Sequence, residues 1–461
     1  MAATKSRAVT GRGKSRRAAA PLRSPAAAKN DGFRAKVRMY LQGLGDCFLV
    51  TLPRKNGPAG GNPYRIMIDC GVILGTPEAA NRMTKVVEDI VRETDGHVDL
   101  LLATHAHWDH LSGFTQAEAA FKKLKVDQVW LPWTEDPSDP NGRKVQDDRD
   151  RLLDALRLGL ARMQLAADTE TANKVAGMLD FFGIGAATTN ALDAVRKLGP
   201  VRYCRPSDRP IDQPDTGARL YVMGPPLDEA FLKRTNPSTR NPETYGLAFD
   251  LMAANVPAPE DGGATDSPFG TLFAIPMPAA QAMGFFRQRY WSSDGSDQWR
   301  NIETAAFAGV SELALQLDKV TNNTSLVLAI ELPDNDVMLF PADAQVGNWL
   351  SWGTLRWTVD GKEIGGPDLL KRTIFYKVGH HGSHNATLRA AGLELMEKLQ
   401  TAMIPVNEEM AKKKGWDHIP LTDLVTALEQ HARIVIRADK SPPAAGNVHA
   451  DPNGLFYEVR I

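Results

Sequence analysis

Cysteine is scarce in this chain, with only three residues among 461, at positions 47, 70 and 204. A set this sparse and odd in number argues against a disulfide framework and is typical of proteins from a reducing compartment. Cys47 and Cys70 lie in apolar stretches. We therefore expect them to be core thiols and not metal ligands.

Long apolar segments are also missing. No uninterrupted apolar run reaches the roughly 18 residues that a transmembrane helix needs. The N-terminal stretch lacks the apolar region of a secretory signal. Hydrophobic and charged contents of 43% and 24% are ordinary for globular proteins. We therefore expect a soluble cytoplasmic protein that has no membrane partner.

Acidic residues are absent from the first 30 positions, which hold eight of the 54 lysines and arginines. The rest of the chain has 46 basic and 55 acidic residues and is net negative. The first stretch is rich in Ala, Ser and Gly, so we predict a disordered basic tail over 1–32. Three roles stay open for it: a solubilising tail, an organelle transit peptide or a polyanion-binding arm. The acidic body argues against broad nonspecific binding to duplex DNA.

Histidine is infrequent as well, yet three of the 10 histidines fall within six residues of one another. The run 104–113 directly follows the apolar stretch 98–103 and contains four potential ligands, His105, His107, Asp109 and His110. Imidazole nitrogen and carboxylate oxygen suit zinc, manganese and iron. Four ligands on one short loop are too many for one open catalytic ion, so the spacing predicts two ions side by side.

Three further segments place acidic or histidine residues where apolar runs end. One predicted strand ends in Asp343, and another ends in the pair His380 and His381. Upstream, the strand and turn over 65–71 contain Asp69.

Together the motifs resemble the metallo-β-lactamase superfamily of dinuclear hydrolases. The segments 42–50, 322–328 and 377–383 are similar to one branch, the soluble hydrolase domain of ComEC-type DNA-uptake proteins and its free-standing relatives. Choline-phosphate esterases of the superfamily share the His-His-Gly pattern. The resemblance covers roughly residues 36–135 and 320–440. It implies an α/β fold, an αββα sandwich, and two divalent ions, either zinc or manganese.

The resemblance also implies ligand roles for individual residues. The pair His105 and His107 matches the ligands of the first ion. Asp109 and His110 match ligands of the second ion, and Asp343 matches the carboxylate that bridges the two.

The remaining roles concern the C-terminal histidines and one buried acid. His380 is assigned as the last ligand of the second ion and His381 as a group facing the substrate, although the sequence leaves the two interchangeable. Asp109, Asp343 and His381 are the predicted catalytic residues. Asp69 is expected to orient a ligating histidine.

One position departs from the superfamily pattern. Most dinuclear members have a third histidine before the bridging aspartate, but no histidine occurs between His110 and His380. The corresponding stretch is 321–325, so we expect Asn323, or its neighbour Asn322, at that position. An amide oxygen is a weaker ligand than imidazole, which favours a water-completed first site or manganese over zinc.

Substrate contacts are predicted beside the histidine pair. Lys377 and His384 join His381 as candidates for binding an anionic group, because lysine is a common partner of phosphate. The implied substrate is a phosphodiester, with nucleic acid as one form of it.

One catalytic domain is expected over 33–461, with an insertion at about 136–319. Leucine and methionine recur at helical spacing over 145–198 and predict a helical cap. Residues 234–302 are rich in Pro, Gly, Asn, Asp and Ser and predict long loops. The second half of the sandwich is expected to begin near Leu317, and a helix is expected over 387–398.

These features favour a metal-dependent hydrolase, most simply a phosphodiesterase or nuclease in which a metal-bridged hydroxide attacks phosphorus. Two alternatives stay open. One is a hydrolase of small phosphoesters of the choline-phosphate type. The other is a partner-triggered effector or scaffold of a bacterial defence or toxin system, which would bind its partner protein through the insertion.

Overall fold

The computed structural model describes residues 32–55, 62–165, 186–238, 242–245, 280, 282–290, 302–414 and 416–461. The basic tail predicted over 1–32 lies outside the described residues, apart from Gly32. Most of the loop region predicted over 234–302 also lies outside them.

Within the described ranges, the first sheet has eight strands in the order β16-β17-β1-β2-β3-β4-β5-β6. These are β1 (Lys36–Tyr40), β2 (Phe48–Leu52), β3 (Tyr64–Ile68), β4 (His97–Leu102), β5 (Lys125–Pro132), β6 (Val201–Cys204), β16 (Val448–Ala450) and β17 (Phe456–Arg460). Strands β3 to β6 are parallel, and the other neighbours are antiparallel. Because β3 and β4 are parallel neighbours, Asp69 follows β3 beside the start of the histidine loop.

The second sheet has seven strands in the described part of the chain, in the order β15-β14-β13-β10-β9-β8-β7. These are β7 (Ile211–Gln213), β8 (Ala218–Gly224), β9 (Val327–Glu331), β10 (Val337–Phe340), β13 (Thr373–Lys377), β14 (Thr401–Ile404) and β15 (Ile434–Arg437). Strands β10 and β13 are parallel neighbours. Their carboxyl ends meet, which brings Asp343 close to the pair His380 and His381. A separate hairpin joins β11 (Arg356–Val359) to β12 (Lys362–Gly365).

Twelve α-helices lie between the strands in the described part of the chain. They are α1 (Ala79–Glu93), α2 (Trp108–Gln116), α3 (Glu118–Phe121), α4 (Pro140–Leu165), α5 (Ala186–Arg196), α6 (Glu229–Leu232), α7 (Gly284–Tyr290), α8 (Ile302–Asn323), α9 (Val346–Ser351), α10 (Gly366–Lys371), α11 (Glu408–Lys413) and α12 (Thr422–His431). None of the helices that the structure describes has the length and apolar character needed to cross a bilayer.

The two sheets share one apolar cluster. Leu100 and Leu102 of β4 belong to it, together with Ile330 of β9, Phe340 of β10 and Phe375 of β13. Burying one such side chain completely stabilises the fold by roughly 1.5–3 kcal/mol. Strands β9, β10 and β13 are buried along their whole length, as expected for apolar runs covered on both faces.

Helices cover the other face of each sheet. On the first sheet, Met67 and Leu101 cluster with Val86 and Ile90 of α1. On the second sheet, Leu339 and Tyr376 cluster with buried side chains of three helices, Trp349 of α9, Leu369 of α10 and Leu424 of α12. The chain is therefore a mixed α/β protein built on two large mixed sheets, as an α/β sandwich.

The insertion predicted over 136–319 is too broad. Its residues 201–224 form β6, which belongs to the first sheet, and β7 and β8, which belong to the second sheet. The second sheet therefore begins at Ile211 and not near Leu317. Strands β6 and β7 have only four and three residues, which is too short to give a clear alternation in the sequence. Of the helical cap predicted over 145–198, the described parts form α4 and α5, and residues 166–185 lie outside the described residues.

Candidate metal centre

The histidine loop connects β4 to α2 and buries its side chains. His105 and His107 lie in the loop, whereas Asp109 and His110 lie in the first turn of α2. Two glycines allow another loop to approach this turn. A Cβ atom on Gly71 would lie 2.3 Å from the backbone carbon of Asp109, and one on Gly45 would lie 2.6 Å from its carbonyl oxygen.

Four side chains converge on one point, two from the first turn of α2 and one each from the segments after β10 and β13. The ligand atoms of Asp109, His110, Asp343 and His381 all lie within 4.8 Å of one another. His110 Nε2 is 3.2 Å from Asp343 Oδ2, and His381 Nε2 is 3.0 Å from Asp109 Oδ2. Two imidazoles and two carboxylates in this arrangement form a set that could hold one divalent ion.

A second pair of ligands lies directly beside this group. His105 Nε2 is 3.1 Å from His107 Nδ1, so the two nitrogens point to one place. The ring of His105 is 4.2 Å from the ring of His110, measured between centroids. The structure therefore brings all the predicted residues of the histidine loop into one compact centre.

Hydrogen bonds to the outer ring nitrogen orient three of these histidines. His110 Nδ1 lies 2.8 Å from Asp69 Oδ2, and His381 Nδ1 lies 2.7 Å from the carbonyl oxygen of Pro405. His105 Nδ1 lies 3.1 Å from Thr104 Oγ1. Each acceptor or hydroxyl holds one nitrogen, which leaves Nε2 directed into the centre.

Asp69 is itself held in an uncommon backbone conformation. Its φ angle is 55°, and its carboxylate accepts hydrogen bonds from Thr104 N at 2.8 Å and from Thr104 Oγ1 at 2.7 Å. The side chain is fully buried. It therefore ties the end of β3 to the histidine loop and to the His110 ring at once.

Asp69→Asn is expected to weaken metal binding by about 10–100-fold, because partners of ligating histidines typically contribute that much. Asparagine tolerates a positive φ, so the backbone is expected to persist. Isothermal titration of the metal-free protein with Mn²⁺ measures the effect. The matched control is Asp95→Asn, another aspartate with a positive φ, 51°, but on the surface. Equal affinities in the two variants would exclude the role given to Asp69.

His380 and His381 have different surroundings in the structure. His381 joins the four-residue group, whereas the nearest carboxylate oxygen to His380 Nε2 is Asp343 Oδ2, at 3.9 Å. Both residues have positive φ values, 45° and 53°, within the turn Gly379–Gly382. The geometry therefore places His381, and not His380, in the four-residue group, where the sequence had left the two interchangeable. His380 faces Asn322 instead, with its Nε2 3.4 Å from Asn322 Nδ2.

The two asparagines, Asn322 and Asn323, also differ in position, and only Asn322 lies at the centre. Asn323 does not reach the centre, because its amide donates to the carbonyl oxygens of Phe231 and Leu232 at 3.0 and 2.7 Å. Its Oδ1 accepts from the backbone nitrogens of Gln345 and Asn348, each at 3.2 Å. Asn322 is the amide that lies at the centre.

Two acidic residues were not predicted. Asp318 Oδ1 lies 3.7 Å from His107 Nε2, and its Oδ2 accepts from Asn322 Nδ2 at 3.3 Å. Asp318 precedes Asn322 by one helical turn of α8, a spacing that could have indicated it. The other residue, Asp46, follows Gly45 in a segment that carried the resemblance.

Lys377 is buried behind the centre and does not face a substrate. Its Nζ lies 2.5 Å from Asp46 Oδ2 and 3.4 Å from Asp343 Oδ1, and it donates to the carbonyl oxygen of Ala342 at 2.9 Å. These contacts contradict its predicted role in binding substrate, since the ammonium is fully used inside the protein. His384 is partly buried in the following loop, and its substrate contact stays a prediction.

Lys377→Met is expected to lower the free energy of unfolding by about 3–5 kcal/mol, because it leaves Asp46 charged and unpaired in the interior. Urea denaturation of the metal-free protein measures this loss. The control is Lys398→Met, whose lysine is 58% exposed and lies 3.5 Å from Asp336. Because this lysine is exposed, the pair is expected to contribute no more than about 1 kcal/mol. A loss of similar size in both variants would contradict the buried network.

Carboxylates outnumber cations in the centre. The five described there are Asp46, Asp69, Asp109, Asp318 and Asp343, against one lysine.

Their charge changes how the buried groups of the centre titrate. Burial opposes the protonation of His110, but the surrounding aspartates, Asp343 first, outweigh burial and raise its pKa well above the ordinary value. Burial raises the pKa of Asp318 to about 8, with Asp109 and Asp343 adding to the shift. These pKa shifts favour a proton on His110 and on Asp318 in the absence of an ion, and a bound cation would take the place of those protons.

Several buried atoms of the centre fit a bound metal. Within the described part of the chain, five buried side-chain atoms here lack a hydrogen-bond partner, namely Asp46 Oδ1, His107 Nε2, His110 Nε2, His380 Nδ1 and Asn322 Oδ1. Buried polar atoms are rarely left without a partner unless an ion or water completes them. The unpartnered His110 Nε2 belongs to the four-residue group, so the residues present fit a divalent ion.

No protein-family model matches the chain, and neither a curated protein nor a solved structure matches it.

Proposed function

We propose that this chain is a metal-dependent hydrolase with a dinuclear centre and the αββα fold of the metallo-β-lactamase superfamily. One observation carries the proposal: Asp109, His110, Asp343 and His381 converge with an unpartnered ring nitrogen directed into the group. The helices that cover both sheets support the finer fold assignment.

Two sets of residues would hold the ions. Asp109, His110, Asp343 and His381 would hold one, and His105 and His107 would hold the other next to Asp343. Asn322 would add an amide oxygen to the second of these sets. Nitrogen and oxygen donors of this kind suit zinc or manganese.

When bound, such ions lower the pKa of water and neutralise charge on the scissile phosphoryl group. The chain supplies orientation and proton transfer. Asp109 is the more exposed carboxylate of the four-residue group, at 17% against 2% for Asp343, so we assign it to accept a proton from the attacking water. His381 Nε2 lies 3.0 Å from Asp109 Oδ2, so both side chains would reach the same ion.

We infer a phosphodiester substrate, which includes nucleic acid, because the motifs are similar to those of the ComEC-type branch. The test is hydrolysis of bis(p-nitrophenyl) phosphate by the purified chain with Mn²⁺ or Zn²⁺. Turnover is expected with either ion and is expected to disappear in EDTA. No turnover by metal-loaded protein would contradict the proposal.

Two parallel assays address the remaining hypotheses. Faster turnover of p-nitrophenyl phosphorylcholine would favour a small phosphoester hydrolase of the choline-phosphate type. Activity that appears only when a partner protein is added would favour a triggered effector, with the partner bound through the region 136–319.

A further inference from the structure

A cavity of about 220 Å³ opens directly beside the metal centre. His107 forms part of its wall, and the remaining wall comes mainly from α4, α5 and α8. A group bound in this cavity would therefore lie next to a substrate held at the centre.

Two arginines and two carboxylates line the cavity, and only one of the carboxylates is buried. Arg149 and Arg196 both line it and share one buried carboxylate, Glu135, at 2.7 and 3.8 Å. Asp150 also lines the cavity but is exposed, and Asp193, whose side chain is 49% exposed, pairs with Arg196 Nη1 at 2.9 Å, so solvent screens the charge of both. Two guanidinium groups against one buried carboxylate favour an anionic occupant and disfavour a cationic one such as choline.

Two donors in the wall have no acceptor among the described residues. Thr188 Oγ1 and Arg196 Nε are both buried and lack a hydrogen-bond partner there. Thr188 is only 5% exposed and lines the cavity. A buried donor without an acceptor destabilises the folded chain. A bound group that accepts hydrogen bonds would remove this cost.

We propose that the cavity binds a second phosphate group of the substrate, adjacent along the chain to the phosphodiester that is cleaved. This proposal rests on the proposed function and specifies its substrate class as an oligonucleotide or a terminally phosphorylated dinucleotide. Arg149 and Arg196 supply charge, and Thr188 Oγ1 and Arg196 Nε supply hydrogen bonds. Phosphate contacts of this kind position a strand without reading its sequence.

The test compares the thymidine dinucleotide TpT with pTpT and TpTp, which carry a terminal phosphate on one side or the other. One phosphorylated form is expected to exceed TpT in kcat/KM by about 10–100-fold, the size expected from charged hydrogen bonds. The preference is expected to fall towards unity in Arg196→Gln and in the conservative Thr188→Val. Arg151→Gln is the matched control, an arginine on α4 that is 79% exposed.

Binding provides a readout that does not depend on turnover. Isothermal titration of the metal-free chain is expected to show the same order, with the phosphorylated dinucleotide above TpT, and the same loss in the two cavity variants. Equal kcat/KM and equal affinity for TpT, pTpT and TpTp would overturn the inference. So would inorganic phosphate that binds as tightly as the dinucleotides, since the cavity would then hold a free anion.

The two proposals fail in different ways. If the metal-loaded chain hydrolyses none of the phosphodiesters, the proposed function fails. The titration of the metal-free chain then still decides whether the cavity recognises a terminal phosphate.

Discussion

Asp343→Asn is expected to lower turnover of bis(p-nitrophenyl) phosphate by about 10³-fold. Asp343 Oδ2 lies 3.2 Å from His110 Nε2 and 3.8 Å from His381 Nε2, so its charge serves several ligands. Loss of this charge removes several kcal/mol of stabilisation at a two-ion site. Because about 1.4 kcal/mol corresponds to a factor of ten, the loss corresponds to roughly three orders of magnitude.

The matched control for this variant is Asp360→Asn. Asp360 is 80% exposed and has a φ of 50°, which asparagine adopts readily. Its turnover is expected to equal that of the unmodified chain. Circular dichroism and thermal melting show whether Asp343→Asn keeps the fold. A folded Asp343→Asn protein with full turnover would be incompatible with a bridging role for this carboxylate.

His381→Ala is expected to bind one ion fewer than the unmodified chain, whereas His380→Ala is expected to keep the full number. His381 is buried in the four-residue group, with its other nitrogen held by Pro405. His380 is 17% exposed and contacts Asn322 instead. Loss of a direct ligand is expected to weaken the remaining set by more than the roughly 10–100-fold typical of outer partners.

Metal content of the desalted variants, measured by inductively coupled plasma mass spectrometry, gives the stoichiometry. His431→Ala, at the exposed end of α12, is the control for removal of a histidine elsewhere. If His380→Ala loses the ion and His381→Ala keeps it, the original sequence assignment is correct and the one made from the structure is wrong.

The part of the centre that sequence could predict is the part encoded locally. His105, His107, Asp109 and His110 are consecutive or alternate residues of one loop, so the end of β4 alone brings them together. Asp343 and the histidine pair follow the ends of two apolar runs. Parallel pairing of β10 with β13 then brings these ends to the same edge.

Choices between neighbours could not be made from the sequence. Adjacent residues on a helix point about 100° apart. Whether Asn322 or Asn323 faces the centre therefore depends on how α8 is rotated, and α8 ends at Asn323. The choice between His380 and His381 depends on two positive φ values in one turn, which the residue types do not indicate.

The sequence also did not show which charged side chains of the centre are buried. Lys377 was predicted to bind substrate because lysine is a common partner of phosphate, but the structure buries it. Its partner Asp46 is 331 positions earlier in the chain, and the pair forms only when β13 joins the sheet.

The predicted helix over 387–398 was also wrong. Leu388 pairs instead with Thr244 in an isolated bridge, and Arg389 N donates to the carbonyl oxygen of Glu243.

Anomalous diffraction from crystals grown with Mn²⁺ tests the central claim most directly. Data collected above and below the manganese edge are expected to show two peaks. One is expected among Asp109, His110, Asp343 and His381, and the other beside His105 and His107. No peak within this centre, or manganese bound only elsewhere on the chain, would contradict the assignment of a dinuclear metal site.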